Sequence, residues 1–142
     1  MKTKTTNILI LCVLVGIVIF ILGGEMAIEK RLRQDAVKMH HLEVDNCLEL
    51  GQEVNKRIQM AFQAHMSLEE FENQFGKVEP IEQNAYPEAK ENRTHVYVHE
   101  PSHRVFFLRF ENEILQGYTS NFSVDDIQPH LPSIEERIEA LR

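Results

Sequence analysis

Residues 94–122 read THVYVHEPSHRVFFLRFENEILQGYTSNF, and this stretch decides the fold class. Three runs dense in β-branched and aromatic residues, THVYVHE, RVFFLRF and ILQGYTSNF, are separated by short polar segments. Such runs form strands, so the economical reading is an antiparallel meander of three strands. Side chains alternate along a strand. Phe106, Leu108 and Phe110 therefore make one wholly apolar face, while Val105, Phe107 and Arg109 point the other way. Val96 and Val98 are expected to join the core side.

Working outward, residues 65–80 read HMSLEEFENQFGKVEP. Ser67 and Glu70 have capping-box spacing, Leu68, Phe71 and Phe75 fall on one helical face, and Gly76 supplies a left-handed stop. A short helix with both ends marked results, and its aromatic face suits the apolar side of the sheet. Residues 82–93, with Pro87, read as a long polar loop. Beyond the strands, Pro129 and Pro132 precede a second capping box, Ser133 with Glu136. It opens a short C-terminal helix with Ile134, Ile138 and Leu141 on one face. The fold class is α+β.

Before Ser67 the pattern is helical. Apolar or small residues fall at Ile28, Leu32, Ala36, Met39, Cys47, Leu50, Val54, Ile58 and Ala61, with only Glu43 missing a turn. Their mean spacing of about 3.67 residues describes a nearly straight helix. No proline interrupts residues 25–66, and Gly51 alone weakens the helix, by roughly 1 kcal/mol. Between Ile28 and Ala61 such a helix reaches about 50 Å. Its last turns are expected to pack on the domain that follows. Its first turns either pair with another helix through Ile28, Leu32, Met39, Cys47 and Leu50, giving a homo-oligomer such as a dimer or a heteromeric stalk, or form a charged, mobile tether. Cys47 reads as a small apolar residue at that seam; a disulfide across a symmetric dimer is the sharper alternative and requires an oxidising compartment.

Earlier still, residues 8–22 are an unbroken apolar run, lengthened by Gly23, Gly24 and the triplet Met26, Ala27, Ile28. Together they suffice to cross a bilayer. As a cleavable signal the run has its basic start in Lys2 and Lys4 but lacks paired small residues at a cleavage site, and Cys12 sits too deep for a lipoprotein signal. The domain reading is thus a membrane anchor at 1–24, a helical stalk at 25–66 and a small α+β domain at 67–142. The lysines before the span point to a cytoplasmic amino terminus, whereas Lys30, Arg31, Arg33 and Lys38 behind it point the other way. Short amino-terminal anchors commonly leave their small tail inside, and Glu25, Glu29 and Asp35 interrupt the second cluster. The expectation adopted is a domain outside the cytoplasm, periplasmic or extracellular.

The chain of 142 residues has a net charge of −7 and two cysteines, one of them inside the apolar run. Residues 67–142 carry 7 Lys and Arg against 15 Asp and Glu, a net of −8. Such a domain repels nucleic acid. Cys12 and Cys47 offer neither a disulfide framework nor a zinc spacing.

The order of long helix, capped helix ending at glycine and proline, polar loop, VYV strand and VFFLRFENEILQGY hairpin resembles the small SmpA/OmlA-type, BamE-like domain of outer-membrane barrel assembly. The likeness covers about residues 55–120. Phe75 stands where that family has leucine, Pro80 comes two residues late, and the lipoprotein cysteine is absent. The resemblance implies a non-catalytic scaffold that binds other proteins.

The residues themselves point the same way. His95, His99 and His103 are spaced four apart, which on a helix would gather three metal ligands. On a strand His95 and His99 stand about 13 Å apart. No glycine-rich phosphate loop, nucleophile elbow or paired-carboxylate motif is present, so neither enzyme, cofactor nor small-molecule substrate is expected. Asn92 and Asn121 head glycosylation triplets that would matter only in a eukaryotic lumen. The candidate protein-binding face is Tyr97, Phe107 and Tyr118 across three strands beside Arg109, an aromatic and arginine mixture typical of binding hot spots. Open sheet edges could also accept a partner strand. The functional reading is a single-pass, membrane-anchored, non-enzymatic interaction or scaffold module of the cell envelope. The alternatives are a stalk subunit that oligomerises through its long helix, and a secreted small domain.

Overall fold

The computed structural model describes residues 2–82 and 92–142, so most of the polar segment 82–93 lies outside the described residues. The fold is α+β. Helix α1 (Lys2–Gln63) is followed by α2 (Leu68–Phe75), strands β1 (Glu79–Pro80), β2 (His95–His99), β3 (Arg104–Glu111) and β4 (Ile114–Thr119), α3 (Val124–Ile127), a 3-10 turn (Gln128–His130) and α4 (Ile134–Leu141). Two compact units result, Met1–His40 with Pro132–Arg142 and His41–Leu131.

In the second unit the four strands lie in the order β1-β2-β3-β4, all antiparallel. The two-residue β1 is an addition to the expected three strands, and its proline marks it as an edge. Helix α2 opens on the expected capping box. The Glu70 N–H donates to Ser67 Oγ at 3.2 Å and the Ser67 N–H to Glu70 Oε2 at 2.9 Å. It stops at Gly76, whose φ of 110° favours glycine. Phe71 is fully buried at the centre of the core. It stacks on Phe75 at 4.5 Å and meets Tyr97 and Phe110 edge-on at 5.6 and 5.9 Å. Phe106, Leu108 and Leu115 surround it from the sheet, and Val54, Ile58 and Ala61 from α1.

The strand faces differ from the expectation. Tyr97, not Val96 or Val98, opposes Phe106 and faces the core, because the β2–β3 turn pairs Tyr97 with Phe106 and Val98 with Val105. A bulge at Arg109 and Phe110 then pairs Phe110 with Leu115 but Arg109 with Gly117. This irregularity brings Leu115 and Tyr118 to the same face although they differ by an odd number of residues, which strict alternation forbids. The β3–β4 turn holds Asn112 and Glu113 at φ of 50° and 63°, the left-handed pair of a tight hairpin.

Helix α1 buries Val44, Cys47, Gly51, Val54, Ile58 and Ala61, alternating steps of three and four. The expected stripe therefore runs one residue off at Leu50, which is only half-buried, because Gly51 takes the inward position. A methyl group on Gly51 would come within 2.4 Å of the Phe122 ring. A second, smaller core joins Val44 and Cys47 to Ile127, with Leu48, Phe122 and Leu131 beside them.

In the first unit α4 opens on its own capping box, the Ser133 N–H donating to Glu136 Oε2 at 2.7 Å and the Glu136 N–H to Ser133 Oγ at 3.2 Å. Ion pairs join Arg142 to Glu29 at 2.8 Å and Arg33 to Glu135 at 3.7 Å. Since the later residue of α4 meets the earlier residue of α1, the two helices run antiparallel. Ala36 and Ile138 are buried.

Two substitutions test this packing by thermal unfolding of the full chain in detergent. Gly51→Ala is expected to lower stability by about 1–2 kcal/mol despite its better helix propensity, because overpacking outweighs propensity. Glu113→Gly is expected to raise it by roughly 0.5–1 kcal/mol by relieving a left-handed residue.

Candidate functional site

The four residues of the expected binding face are not brought together. Phe107 and Arg109 share the outer side of β3, while Tyr97 and Tyr118 sit on the helix-covered side. Tyr97 is buried and its hydroxyl donates to the Phe75 carbonyl at 3.0 Å, tying the end of α2 to the sheet. Burial pushes its phenol above the usual range, an effect that Arg57 opposes. Tyr118 meets Phe62 of α1 edge-on at 5.9 Å. On the outer side Phe107 is buried, Val98 is exposed, and Arg109 pairs with Glu111 at 3.4 Å. Arg93 approaches Gly117 closely there, its Nη1 lying 2.9 Å from where a Cβ would stand. Burial and the neighbouring Arg109 both hold the Arg93 guanidinium below its usual range.

The helix-pairing residues also divide. Ile28 and Met39 are exposed and Leu32 and Leu50 half-buried, whereas Cys47 is enclosed in the smaller core. Its Sγ points at the Pro101 carbonyl at 3.9 Å, and burial raises the thiol above its ordinary range. Cys47 therefore leaves the pairing stripe, and a thiol inside its own domain does not reach a second chain. Leu42, passed over in the sequence, is 61% exposed and continues the Ile28, Leu32 and Met39 ridge.

Among the described residues, clefts open in the sheet unit at two places. One of about 470 Å³ lies between Arg57 of α1, the Gln74–Lys77 end of α2, and Tyr97, His99 and Glu100. Arg57 sits over the Phe75 ring at 4.9 Å. The other, of about 410 Å³, is lined by His103, Val105, Phe107, Phe122, Asp126 and His130. There the His103 and His130 rings stack at 4.4 Å and 3°. Imidazole lone pairs lie in the ring plane, so two stacked rings do not aim at one ion. His95 and His99 flank Tyr97 on β2 and His103 lies in the turn beyond. The three are not gathered, and among the described residues no group of three or more His, Cys, Asp or Glu is arranged for a metal.

One residue the sequence did not single out organises this region. Arg104 lies between the Phe106 and Phe122 rings at 5.1 and 5.0 Å. It donates to the Gly51 carbonyl at 2.9 Å, to Asn55 Oδ1 at 3.4 Å and to Ser120 Oγ at 2.8 Å. Ser102 beside it is fully buried, its Oγ 2.7 Å from His99 Nδ1. The polar groups of this layer are thus committed to one another.

Comparison with protein-family models, curated proteins and solved structures found no match for this chain.

His95 and His99 both sit below the usual imidazole range, each mainly through burial, with Arg57 adding to the effect at His99. A lowered folded value means that the unfolded chain binds more protons, so stability is full above the unfolded value near 6.5 and falls as acid passes through it towards the folded values. The melting temperature is expected to drop between pH 7.5 and 5.5, and a His95→Gln, His99→Gln variant is expected to flatten that dependence.

Proposed function

We propose that this chain is a single-pass, membrane-anchored, non-enzymatic protein-interaction or scaffold module of the cell envelope, with its α+β unit outside the cytoplasm. The observation that carries the reading is α1 itself. It is one helix long and apolar enough to cross a membrane, and it stays unburied along its apolar window. Ile8, Leu11, Val15, Ile19 and Leu22 are each at least 49% exposed, an arrangement that water disfavours and lipid accepts. The same helix supplies Val54, Ile58 and Ala61 to the core of the sheet unit.

Binding rather than catalysis is favoured by how the clefts use their polar groups. The Tyr97 hydroxyl in one cleft donates to the Phe75 carbonyl, and Asp126 in the other accepts from the Ser123 N–H at 2.7 Å, so both have structural partners. We take the likeness to the SmpA/OmlA-type domain in the same sense, as a proposal that the module binds. For a partner protein the outer sheet side, where Val98 is exposed and Arg109 lies on the same face, replaces the four-residue face read from the sequence. A second reading, pairing of two copies through α1, is favoured by the exposed Ile28, Met39 and Leu42. It predicts that Leu32→Glu with Met39→Glu dissociates an oligomer.

Intact mass of the membrane-extracted protein, with protease protection of a tag placed after Arg142 in sealed cells, tests the principal reading. Full-length mass with an externally digested tag is expected. A shortened mass would mean that the anchor is removed, and a protected tag on a full-length chain would put the module in the cytoplasm.

A further inference from the structure

The first unit holds a feature that the proposed span does not use. The apolar surface of α1 does not stop at Leu22: Met26 is 73% and Ile28 61% exposed, and the 15 residues of 8–22 fall short of the hydrocarbon layer. At 1.5 Å per residue the run from Ile8 to Leu22 is about 22 Å, whereas extension to Ile28 gives about 31 Å, against a hydrocarbon thickness of roughly 30 Å. Thickness matching therefore sets the acyl boundary near Ile28, with Glu25 reaching outward along the helix.

The next turn is where α4 returns. Arg142 meets Glu29 at 2.8 Å and Glu139 at 3.1 Å, and Arg33 meets Glu135 at 3.7 Å. The headgroup layer adds about 5–8 Å on each side of the hydrocarbon. Residues 29–33 of α1, and with them the Arg142 end of α4, fall within that layer. Leu141 is 40% exposed on α4, and Lys30 and Arg31 are exposed on α1. The local chemistry suits such a layer: apolar Met26, Ile28 and Leu141 towards the acyl boundary, cations at phosphate height, and Glu29 neutralised by Arg142.

We propose that α4 and residues 26–33 of α1 form a phospholipid-contacting collar, with Leu141 at the acyl boundary, Lys30 and Arg31 against lipid phosphates, and Arg142 holding the end of α4 to Glu29. The collar rests on the reading of α1 as a membrane span. Lipid is the occupant the geometry favours, because the exposed apolar residues of the collar continue those of the span on the same helix. Pairing of the ionic groups lowers their desolvation penalty near the boundary.

Spin labels at Val15→Cys and Leu141→Cys, each in a Cys12→Ala, Cys47→Ala background of the full chain, separate the two readings in phosphatidylcholine–phosphatidylglycerol vesicles. The probes are collision with oxygen, enriched in lipid, and with an aqueous nickel complex. Val15 is expected to be deep, and Leu141 several-fold less accessible to nickel than a free nitroxide in the same suspension. Arg142→Glu is expected to restore nickel access at Leu141 without changing Val15. A deep Val15 with a fully water-accessible Leu141 would overturn the collar and leave the span standing, whereas a water-accessible Val15 would overturn both. A photoreactive benzophenone at Leu141 with both native cysteines retained gives an independent readout. Cross-linking to lipid supports the collar, and cross-linking to protein alone overturns it.

Discussion

Arg104 is the side chain on which the sheet unit turns. A guanidinium between two aromatic rings has lost much of its water, and burial accordingly holds it below its usual range. That loss is offset because its N–H groups reach three acceptors on two separate segments: Gly51 and Asn55 of α1, and Ser120 at the end of the meander. A planar fork of donors fixes direction as well as distance. The sheet therefore meets α1 at one rotation of the helix, and this rotation decides which residues of α1 are core. Gly51 is part of the same arrangement, since the missing side chain lets Phe122 lie against the helix while its carbonyl accepts from Arg104.

The parts of the fold that are local in sequence were legible. Both capping boxes, the glycine stop of α2, the long unbroken helix and the three main strands depend on neighbours within a few residues, and each is where the pattern placed it. What the sequence concealed depends on partners far along the chain. Gly51 reads as a weak point in a helix until Phe122 is seen against it. The bulge at Arg109 and Phe110 changes the parity of β4, and no residue type announces it. The two-residue β1 is too short to leave a period, and its pairing with Val96 and His95 supplies what its composition does not.

The candidate site was legible in kind and misplaced in detail for the same reason. An aromatic and arginine face was expected, and aromatic residues do line both sides of the sheet. Tyrosine carries a hydroxyl that suggests a surface, yet the Tyr97 hydroxyl is satisfied inside by the Phe75 carbonyl, so its ring can be core. Valine suggests the interior, yet Val98 is among the exposed residues. Hydropathy ranks side chains singly, whereas turn length and register choose sides for whole strands. Cys47 shows the same limit: its spacing fits a seam between chains, and Ile127, later in the sequence, claims it for a seam within one.

The two edges of the sheet carry a consequence for the membrane-anchored protein proposed above. One edge is only Glu79 and Pro80, and on the other the Leu115 N–H donates to the Met66 carbonyl while Ser67 bridges Ile114. Among the described residues, the start of β4 and the part of β2 beside β1 are thereby closed to an added strand. Molecules held in a plane meet far more often than molecules free in a volume, so a long open edge would be a standing route to aggregation. In a membrane-anchored chain of the kind proposed above, the clipped β1 and the turn folded over the start of β4 would keep neighbouring copies from pairing their sheets at those residues.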